Sequence, residues 1–377
     1  MLIDSTLREG AQAYGVYFSQ GGRRKVAQLL AQARVEEIEC GWVGQQMPGE
    51  SLEDFLAWAR ENLPTPGEGG PALSLWCPCR EGDVRVAGEL ARRGLIQRVS
   101  IGAPSSEAHR RKRLGLSLHE MAARVRTVVA TALAEGIPYV SVGLEDISRA
   151  EPDEALELGL AAAFSGAVRV RLADTVGLLT PADTARLVGR FASELPVAVA
   201  FHGHNDLGMA TANAVTALQS GAAFADVSAL GIGERAGIAR LEEVAAWAAL
   251  RQGGGYDLAP LRELCRVASL AARVPVARNK AVAGEDVFAA ESGLHVHGIQ
   301  RDPALFEPFA PEAVGGSRRV GLGGKSGRAA LGEAVRRLSG GLAGGCAAAE
   351  PGLVERVRAL AWRLGRPLTE AELRAEL

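Results

Sequence analysis

The sharpest chemical feature of the chain is a pair of histidines separated by one residue, His202-Gly203-His204. At the end of a β-strand, residues i and i+2 project to the same face, so two imidazoles at this spacing can grip one metal ion. Glu9 can add a carboxylate, and two histidines with one carboxylate leave coordination positions open, as catalytic metal sites do. The alternative is that the histidines only hydrogen-bond neighbouring loops. We expect Glu9, His202 and His204 to bind a divalent cation, Mg²⁺, Mn²⁺ or Zn²⁺.

Arg8 stands next to Glu9 and has two possible roles. A guanidinium beside a metal is suited to bidentate recognition of a carboxylate. Alternatively, Arg8 forms a structural ion pair with Glu234 or Asp174. Both roles are open from the residues alone.

Other polar residues follow predicted strands and are candidates for acid–base chemistry or substrate binding. Glu145 suits acid–base work, although it can equally be a loop carboxylate with satisfied hydrogen bonds. His295 lies outside the strand-rich region and by itself is typical of a surface histidine. Further candidates at predicted strand ends are Trp76, Arg80 and Thr175. Cys77 and Cys79 are interpreted as packing at a strand end, with a redox or ligand role as the alternative.

These residues fall at one end of a regular series of predicted elements. Eight short apolar runs alternate with amphipathic segments long enough for helices, which is typical of a parallel sheet covered on both faces. Eight such units in about 250 residues predict a (β/α)8 barrel, an α/β fold whose active site lies at the carboxyl ends of the strands. A doubly wound open sheet is the alternative. The predicted strands are Leu2–Thr6, Glu37–Trp42, Ala72–Cys77, Gln97–Gly102, Tyr139–Leu144, Val168–Ala173, Val197–His202 and Ala225–Leu230.

A composition shift near Gly253–Gly255 marks the predicted end of the barrel. We divide the chain into a catalytic barrel (residues 1–255), a linker subdomain (256–314) and a small helical C-terminal subdomain (315–377). The last helical region, Arg328–Leu377, is interrupted by the glycines of Gly340–Gly345. The barrel is thus followed by a small, mostly helical extension.

Composition excludes several classes of protein. The chain has 377 residues, 47% hydrophobic and 23% charged, with a formal net charge of −2. This balance favours neither a nucleic-acid partner nor a membrane surface, and no run of 18 apolar residues predicts a membrane span. Five cysteines, an odd number, argue against a disulfide scaffold and for a reducing, cytoplasmic setting.

Several longer motifs resemble those of the DRE-TIM metallolyase superfamily. The resemblance spans roughly residues 2–330, and its later motifs are similar to the acyl-transferring branch, which comprises homocitrate, isopropylmalate, citramalate and re-face citrate synthases. The motifs are Asp4-Ser5-Thr6-Leu7-Arg8-Glu9-Gly10, Ala173-Asp174-Thr175-Val176-Gly177, Phe201 to Gly208, Gly231 to Gly237, Glu291 to His295, Asp302-Pro303, Phe306 to Phe309 and Lys325-Ser326-Gly327-Arg328.

The resemblance implies a metal-dependent condensation of acetyl-CoA with a 2-oxo acid, followed by thioester hydrolysis. Glu9, His202 and His204 would hold the divalent cation. Arg8 would stabilise the developing alkoxide, and Thr175 would contact the substrate carboxylate. Glu145, together with His295 from the partner subunit, would deprotonate the acetyl methyl group. A homodimer with a shared active site follows from the resemblance.

Departures from the isopropylmalate synthase pattern narrow the choice of 2-oxo acid substrate. That pattern has asparagines where this chain has Leu230 and Ile238. The segment Ser141–Arg149, together with Trp76-Cys77, looks more like the nitrogen-fixation homocitrate synthases or a citrate-forming relative. We therefore expect a dicarboxylic substrate, 2-oxoglutarate first and oxaloacetate second, with 2-oxoisovalerate as the alternative. Arg80 or Arg149 is the candidate for its distal carboxylate.

Two rival functions are considered. A lyase of the same superfamily, cleaving a substrate like 3-hydroxy-3-methylglutaryl-CoA, would share Arg8, Glu9 and both histidines. Such lyases carry a glycine–cysteine loop after the barrel, for which Gly344-Gly345-Cys346 comes too late in the chain. The second rival is a non-enzymatic metal-binding barrel.

Overall fold

A computed structural model describes residues 1–47, 49–327, 330–332, 334 and 352–376. The chain forms two compact units, Met1–Val276 and Ala277–Leu377. The predicted three-part division, with boundaries after residues 255 and 314, stays a prediction.

The first unit is built on eight parallel strands that pair in chain order and close into a barrel, because β8 pairs with β1. The predicted (β/α)8 barrel is thereby confirmed, and the open sheet is excluded. The strands are β1 (Leu2–Asp4), β2 (Glu37–Trp42), β3 (Ala72–Pro78), β4 (Arg98–Pro104), β5 (Tyr139–Glu145), β6 (Arg169–Asp174), β7 (Ala198–Gly203) and β8 (Phe224–Val227).

Helices follow the strands and cover the barrel. Several begin at a serine or threonine whose hydroxyl accepts from a backbone N–H of the first turn, as at Ser51, Ser117 and Thr180, which satisfies donors that the helix itself leaves unpaired. The main helices of this unit are Gln20–Gln32, Leu52–Asn62, Glu81–Arg92, Leu118–Ala134, Pro152–Phe164, Pro181–Glu194, Ala210–Gln219, Leu241–Gln252 and Leu261–Ala272.

The interior of the barrel is ionic, which the sequence interpretation did not anticipate. Arg169 on β6 donates from both terminal nitrogens to Glu37 on β2, at 2.7 and 3.0 Å, and all of these groups are buried. One layer nearer the carboxyl ends of the strands, Nη1 of Arg171 donates to Oε1 of Glu39 at 2.8 Å. The expectation of strands apolar on both faces was therefore wrong for β2 and β6. Only residues facing the helices, such as Ile38, had to be apolar there, because a buried charge is tolerated when it is paired.

The second unit is mostly helical. It contains a helix at Gly293–Arg301, a short parallel pair of strands, β9 (Ala289–Ala290) and β10 (Arg319–Val320), and helices at Leu353–Leu364 and Glu370–Glu376. Its core includes Val296, Leu331, Leu353 and Val357. The predicted helical extension is confirmed for these helices, whereas Arg328 and the predicted interruption at Gly340–Gly345 lie outside the described residues. Among the described residues, no helix is both long and apolar enough to cross a membrane.

Candidate active site

Three potential metal ligands converge at the carboxyl ends of the barrel strands. Glu9 begins a short helix directly after β1, His202 lies in β7, and His204 follows the end of that strand. The Nε2 atoms of the two histidines are 3.3 Å apart, and they lie 4.0 and 3.8 Å from the two carboxylate oxygens of Glu9. One potential ligand atom from each residue lies within 4.8 Å of the other two.

The protonation of these groups suits a divalent cation. Burial and the neighbouring His202 lower the pKa of His204 to about 3, so its imidazole is neutral near pH 7. Burial acts to raise the pKa of Glu9, but the charges of Arg8 and the histidines outweigh it and bring that pKa down to about 2. A buried carboxylate and two imidazoles at this separation form a donor set that fits one divalent cation.

A glycine turn after β8 supports Glu9. The backbone N–H of Glu234 donates to Oε1 of Glu9 at 3.1 Å. The turn closes on itself at Gly237, where φ is +82° and a β-carbon would lie 1.8 Å from the carbonyl oxygen of Gly231. Only glycine fits that close approach, so the Gly-rich segment after β8 acts by placing a backbone donor on the carboxylate.

Arg8 is oriented by acidic neighbours other than those considered from the sequence. Its Nε donates to Oε2 of Glu39 at 2.8 Å, and its Nη1 contacts Glu9. Asp174 instead accepts the backbone N–H groups of Leu178 and Leu179. The suggested ion pair of Arg8 with Glu234 or Asp174 is therefore not formed. Arg8 is held by Glu39 beside the candidate metal ligands.

A cavity of about 230 Å³ opens at this site and gathers most of the predicted site residues. Trp76 and Glu145 pack across Gly102, where a β-carbon would lie 2.6 Å from the indole and 2.5 Å from a Glu145 oxygen. The lining includes Arg8, Glu9, Trp76, Ser100, Gly102, Arg113, Gly143, Glu145, Arg171, Thr175, His202 and His204.

Three residues of the barrel unit that were predicted to bind substrate do not line this cavity. Arg80 precedes the helix Glu81–Arg92 and lines a separate pocket together with Cys79 and Arg124. Ser141 is fully buried, and its hydroxyl accepts from Nε of Arg169 at 3.0 Å. Arg149 is paired with Asp146, 2.8 Å from Nε to Oδ1. Their predicted contacts with substrate therefore have no support from the geometry, because each side chain is directed elsewhere.

Two arginines of the cavity were missed. Nη1 of Arg113 donates to Oε2 of Glu145 at 2.9 Å, and Arg113 lies in the short helical segment Arg110–Leu114, which carries no recognisable motif. Arg171 did leave a signal, since Arg169 and Arg171 alternate with apolar residues in β6. Two charges at strand spacing in a buried strand indicate an inward-facing polar layer.

The family model described as "HMGL-like" matches residues 1–272, and the model described as "Homocitrate synthase post-HMGL domain-like" matches residues 282–345. The chain belongs to the HMGL-like family. This confirms the resemblance to the DRE-TIM superfamily, whose members use a divalent cation, and the site formed by Glu9, His202 and His204 is the candidate for it.

Three similar proteins carry names that identify them as synthases. The chain is 40% identical to a homocitrate synthase of Frankia alni over 87% of this chain and 90% of that protein. It is 33% identical to 2-isopropylmalate synthase 2 of Caldanaerobacter subterraneus subsp. tengcongensis, over 99% and 93%. It is 35% identical to 2-phosphonomethylmalate synthase of Streptomyces rubellomurinus, over 99% and 96%. The predicted enzyme class, an acyltransferase that converts acyl groups into alkyl groups on transfer, is confirmed.

The family fold is also found in a solved structure of hydroxymethylglutaryl-CoA lyase from Pseudomonas aeruginosa. That structure has a TM-score of 0.62 and 21% identity, and the match covers 76% of this chain and 96% of that one. At this identity the likeness shows the barrel fold alone.

The remaining predicted site residue, His295, lies in the second unit. It is exposed in the helix Gly293–Arg301, with its ring centroid 4.5 Å from that of Phe306. Its role in a partner's active site, and the homodimer that this role requires, stay predictions.

Proposed function

We propose that this enzyme condenses acetyl-CoA with a 2-oxo dicarboxylic acid, 2-oxoglutarate in the first place, to give homocitrate and CoA. The observation that carries the proposal is the meeting of Glu9, His202 and His204 with Arg8 in one cavity. The named relatives support the reaction class, and the homocitrate synthase of Frankia alni supports the substrate.

In the proposed reaction, a cation bound by Glu9, His202 and His204 supplies Lewis-acid polarisation of the 2-oxo group. Arg8 adds a fixed positive charge beside it. Because Nε of Arg8 is already bonded to Glu39, the guanidinium needs no reorganisation when negative charge develops on the ketone oxygen. Thr175, at the same cavity, is proposed to contact the carboxylate next to the ketone.

Glu145 is proposed as the base, acting with His295 of a second subunit. Its carboxylate takes a proton from the acetyl methyl group, and the electron pair of that C–H bond forms the new bond to the ketone carbon. The π pair of the C=O bond moves onto the ketone oxygen, which takes up a proton to become the hydroxyl of the product. Arg113 holds one carboxylate oxygen of Glu145. Water then cleaves the thioester, which releases CoA as the thiol and leaves the acetyl carbon as a carboxylate.

The proposed enzyme is a cytoplasmic homodimer. Cys40, Cys77 and Cys79 are buried and form no disulfide, which suits a reducing compartment. Burial raises the pKa of the Cys77 thiol, which makes that thiol unreactive. The dimer is proposed because the chain carries the homocitrate synthase-like second unit. This second unit also favours a synthase over a lyase, and Gly344-Gly345-Cys346 lies outside the described residues.

The experiment is thiol release from acetyl-CoA with 2-oxoglutarate, oxaloacetate, 2-oxoisovalerate and pyruvate, each with Mg²⁺, Mn²⁺, Zn²⁺ or a chelator. We expect turnover with 2-oxoglutarate in the presence of metal, and we expect mass spectrometry to identify homocitrate as the product. Preference for oxaloacetate identifies a citrate-forming enzyme, and preference for 2-oxoisovalerate contradicts the interpretation of Leu230 and Ile238. No release with any acid, but cleavage of 3-hydroxy-3-methylglutaryl-CoA, would establish the lyase instead.

A further inference from the structure

One terminal nitrogen of the Arg171 guanidinium contacts two buried carboxylates. Its Nη1 lies 2.8 Å from Oε1 of Glu39 and 3.2 Å from Oδ2 of Asp226. Burial acts against the charge of Arg171, but Asp226 and Glu39 outweigh it and keep its pKa above the usual range. Arg171 is therefore a permanently charged group anchored from one side.

The opposite edge of the Arg171 guanidinium makes no hydrogen bond within the described part of the chain. Nε and Nη2 of Arg171 are buried and have no hydrogen-bond partner in the described part of the chain, although the side chain is only 3% exposed and lines the cavity. These two nitrogens form the guanidinium edge whose parallel N–H groups match the two oxygens of a carboxylate. Leaving two buried donors unpaired is costly, which indicates that a ligand or ordered water completes them.

The neighbouring strands leave room for such a ligand. Gly102, Gly143 and Arg171 are aligned across β4, β5 and β6, so two of three adjacent positions in this layer carry no side chain. A β-carbon at Gly143 would lie 4.0 Å from the Arg171 side chain. The hydroxyl of Ser100, also buried and without a partner among the described residues, lines the same cavity.

We propose that the Nε and Nη2 edge of Arg171 binds the distal carboxylate of the 2-oxo dicarboxylic substrate, with the Ser100 hydroxyl as a further donor. This inference rests on the proposed function and names the residue that selects a second carboxylate. It replaces Arg80 and Arg149 in that role, since Arg80 lines a separate pocket and the same edge of Arg149 is occupied by Asp146.

The test compares 2-oxoglutarate with 2-oxobutyrate, which keeps the 2-oxo acid group and lacks the distal carboxylate. Arg171→Lys retains a cation for Glu39 and Asp226 but removes the bidentate edge. We expect it to lower kcat/KM for 2-oxoglutarate at least about 50-fold and to change that for 2-oxobutyrate less than about 3-fold. Ser100→Ala should give a smaller loss in the same direction. Arg149→Lys is the matched control and should leave the ratio of kcat/KM for 2-oxoglutarate to kcat/KM for 2-oxobutyrate unchanged.

Binding separates this inference from the proposed function. In calorimetric titrations of the Mn²⁺-loaded wild-type protein, 2-oxoglutarate should bind at least about 50-fold more tightly than its 5-methyl ester, a comparison that holds even if Arg171→Lys does not fold. Equal affinity for acid and ester, or equal losses with both 2-oxo acids in Arg171→Lys, would overturn the role of Arg171. Discrimination in binding without turnover of any 2-oxo acid would instead overturn the proposed function and retain the carboxylate site.

Discussion

Nδ1 of His202 lies 2.9 Å from Oδ2 of Asp226, and both side chains are buried inside the barrel. A carboxylate at this position accepts a hydrogen bond from the N–H group at Nδ1, which leaves the lone pair of Nε2 free to face His204. Asp226 thus fixes the tautomer of His202 that a metal ligand requires. The same Asp226 oxygen lies 3.2 Å from Nη1 of Arg171, so one carboxylate orients both a candidate metal ligand and the proposed substrate-binding arginine.

Replacement of Asp226 by asparagine should weaken metal binding. An amide can present its NH₂ group to Nδ1 and favour the wrong tautomer, so we expect the Kd for Mn²⁺ or Zn²⁺ to rise about 10- to 100-fold. Calorimetric or competition titrations measure this change. Asp153→Asn, on the exposed face of the helix Pro152–Phe164, is the control. An unchanged Kd in Asp226→Asn would contradict the tautomer argument.

Loss of a candidate metal ligand should differ from loss of Arg8. Glu9→Ala and His204→Ala should abolish turnover and release the metal, because each removes one of three ligands. Arg8→Ala should lower kcat about 100- to 1,000-fold with metal retained, because the charge at the developing alkoxide is lost. Metal content after gel filtration, measured beside thiol release, distinguishes the two outcomes. Near-normal turnover in any of these variants would refute the role assigned to that residue.

Chelation provides a test without mutation. Removal of the divalent cation by a chelator should abolish thiol release, and addition of Mg²⁺, Mn²⁺ or Zn²⁺ should restore it, because the polarisation of the ketone depends on the bound ion. Activity that survives complete metal removal, verified by elemental analysis, would contradict the proposed reaction.

Glu145→Gln should affect the chemical step more than substrate binding. Removing a general base lowers kcat by about 100- to 10,000-fold, while KM for the 2-oxo acid stays close to the wild-type value. Arg113→Gln, which frees one oxygen of Glu145, should give a smaller decrease. Steady-state kinetics at saturating acetyl-CoA provide the measurement. A rise in KM with unchanged kcat would show that Glu145 only binds substrate.

The ion pair of Glu37 with Arg169 should dominate the response of the barrel to substitution. Glu37→Gln leaves Arg169 charged, fully buried and without its carboxylate, which should destabilise the fold by about 3–5 kcal/mol. Urea unfolding measures the free-energy difference. Asp153→Asn, which removes an exposed partner of Arg190, should cost less than about 1 kcal/mol.

The same pair predicts a pH dependence of known sign. Burial acts to raise the pKa of Glu37, but Arg169 and Arg98 outweigh it and lower the pKa from 4.5 to about 2 in the folded protein. A carboxylate with a depressed folded-state pKa stabilises the protein fully above the unfolded value. That contribution is lost as pH falls from about 4.5 through about 2. The stability difference between wild type and Glu37→Gln should therefore shrink over this interval, and a constant difference would contradict the assignment.

Much of the site was readable from residue type and spacing. His202 and His204 at strand spacing, and the placement of Glu9 after β1, predicted a shared metal site because the strand ends of a barrel meet at one face. The eight-unit alternation predicted the barrel for a similar local reason, since strand and helix periodicities are properties of short segments. Arg169 and Arg171 carried the same kind of signal in β6, where they alternate with apolar residues, but the sequence interpretation overlooked it.

The tertiary structure alone decided which charges meet. Glu39 is separated from Arg171 by 132 positions in the chain. Only the folded barrel places Arg171 in the cavity of the candidate metal ligands and Arg80 in a separate pocket. Residue type and local periodicity are properties of the sequence, and they were enough to predict the fold class and the candidate metal ligands. Ion pairing depends on closure of β8 onto β1 and on the stagger between strands, and these arise from long-range packing that no local pattern encodes.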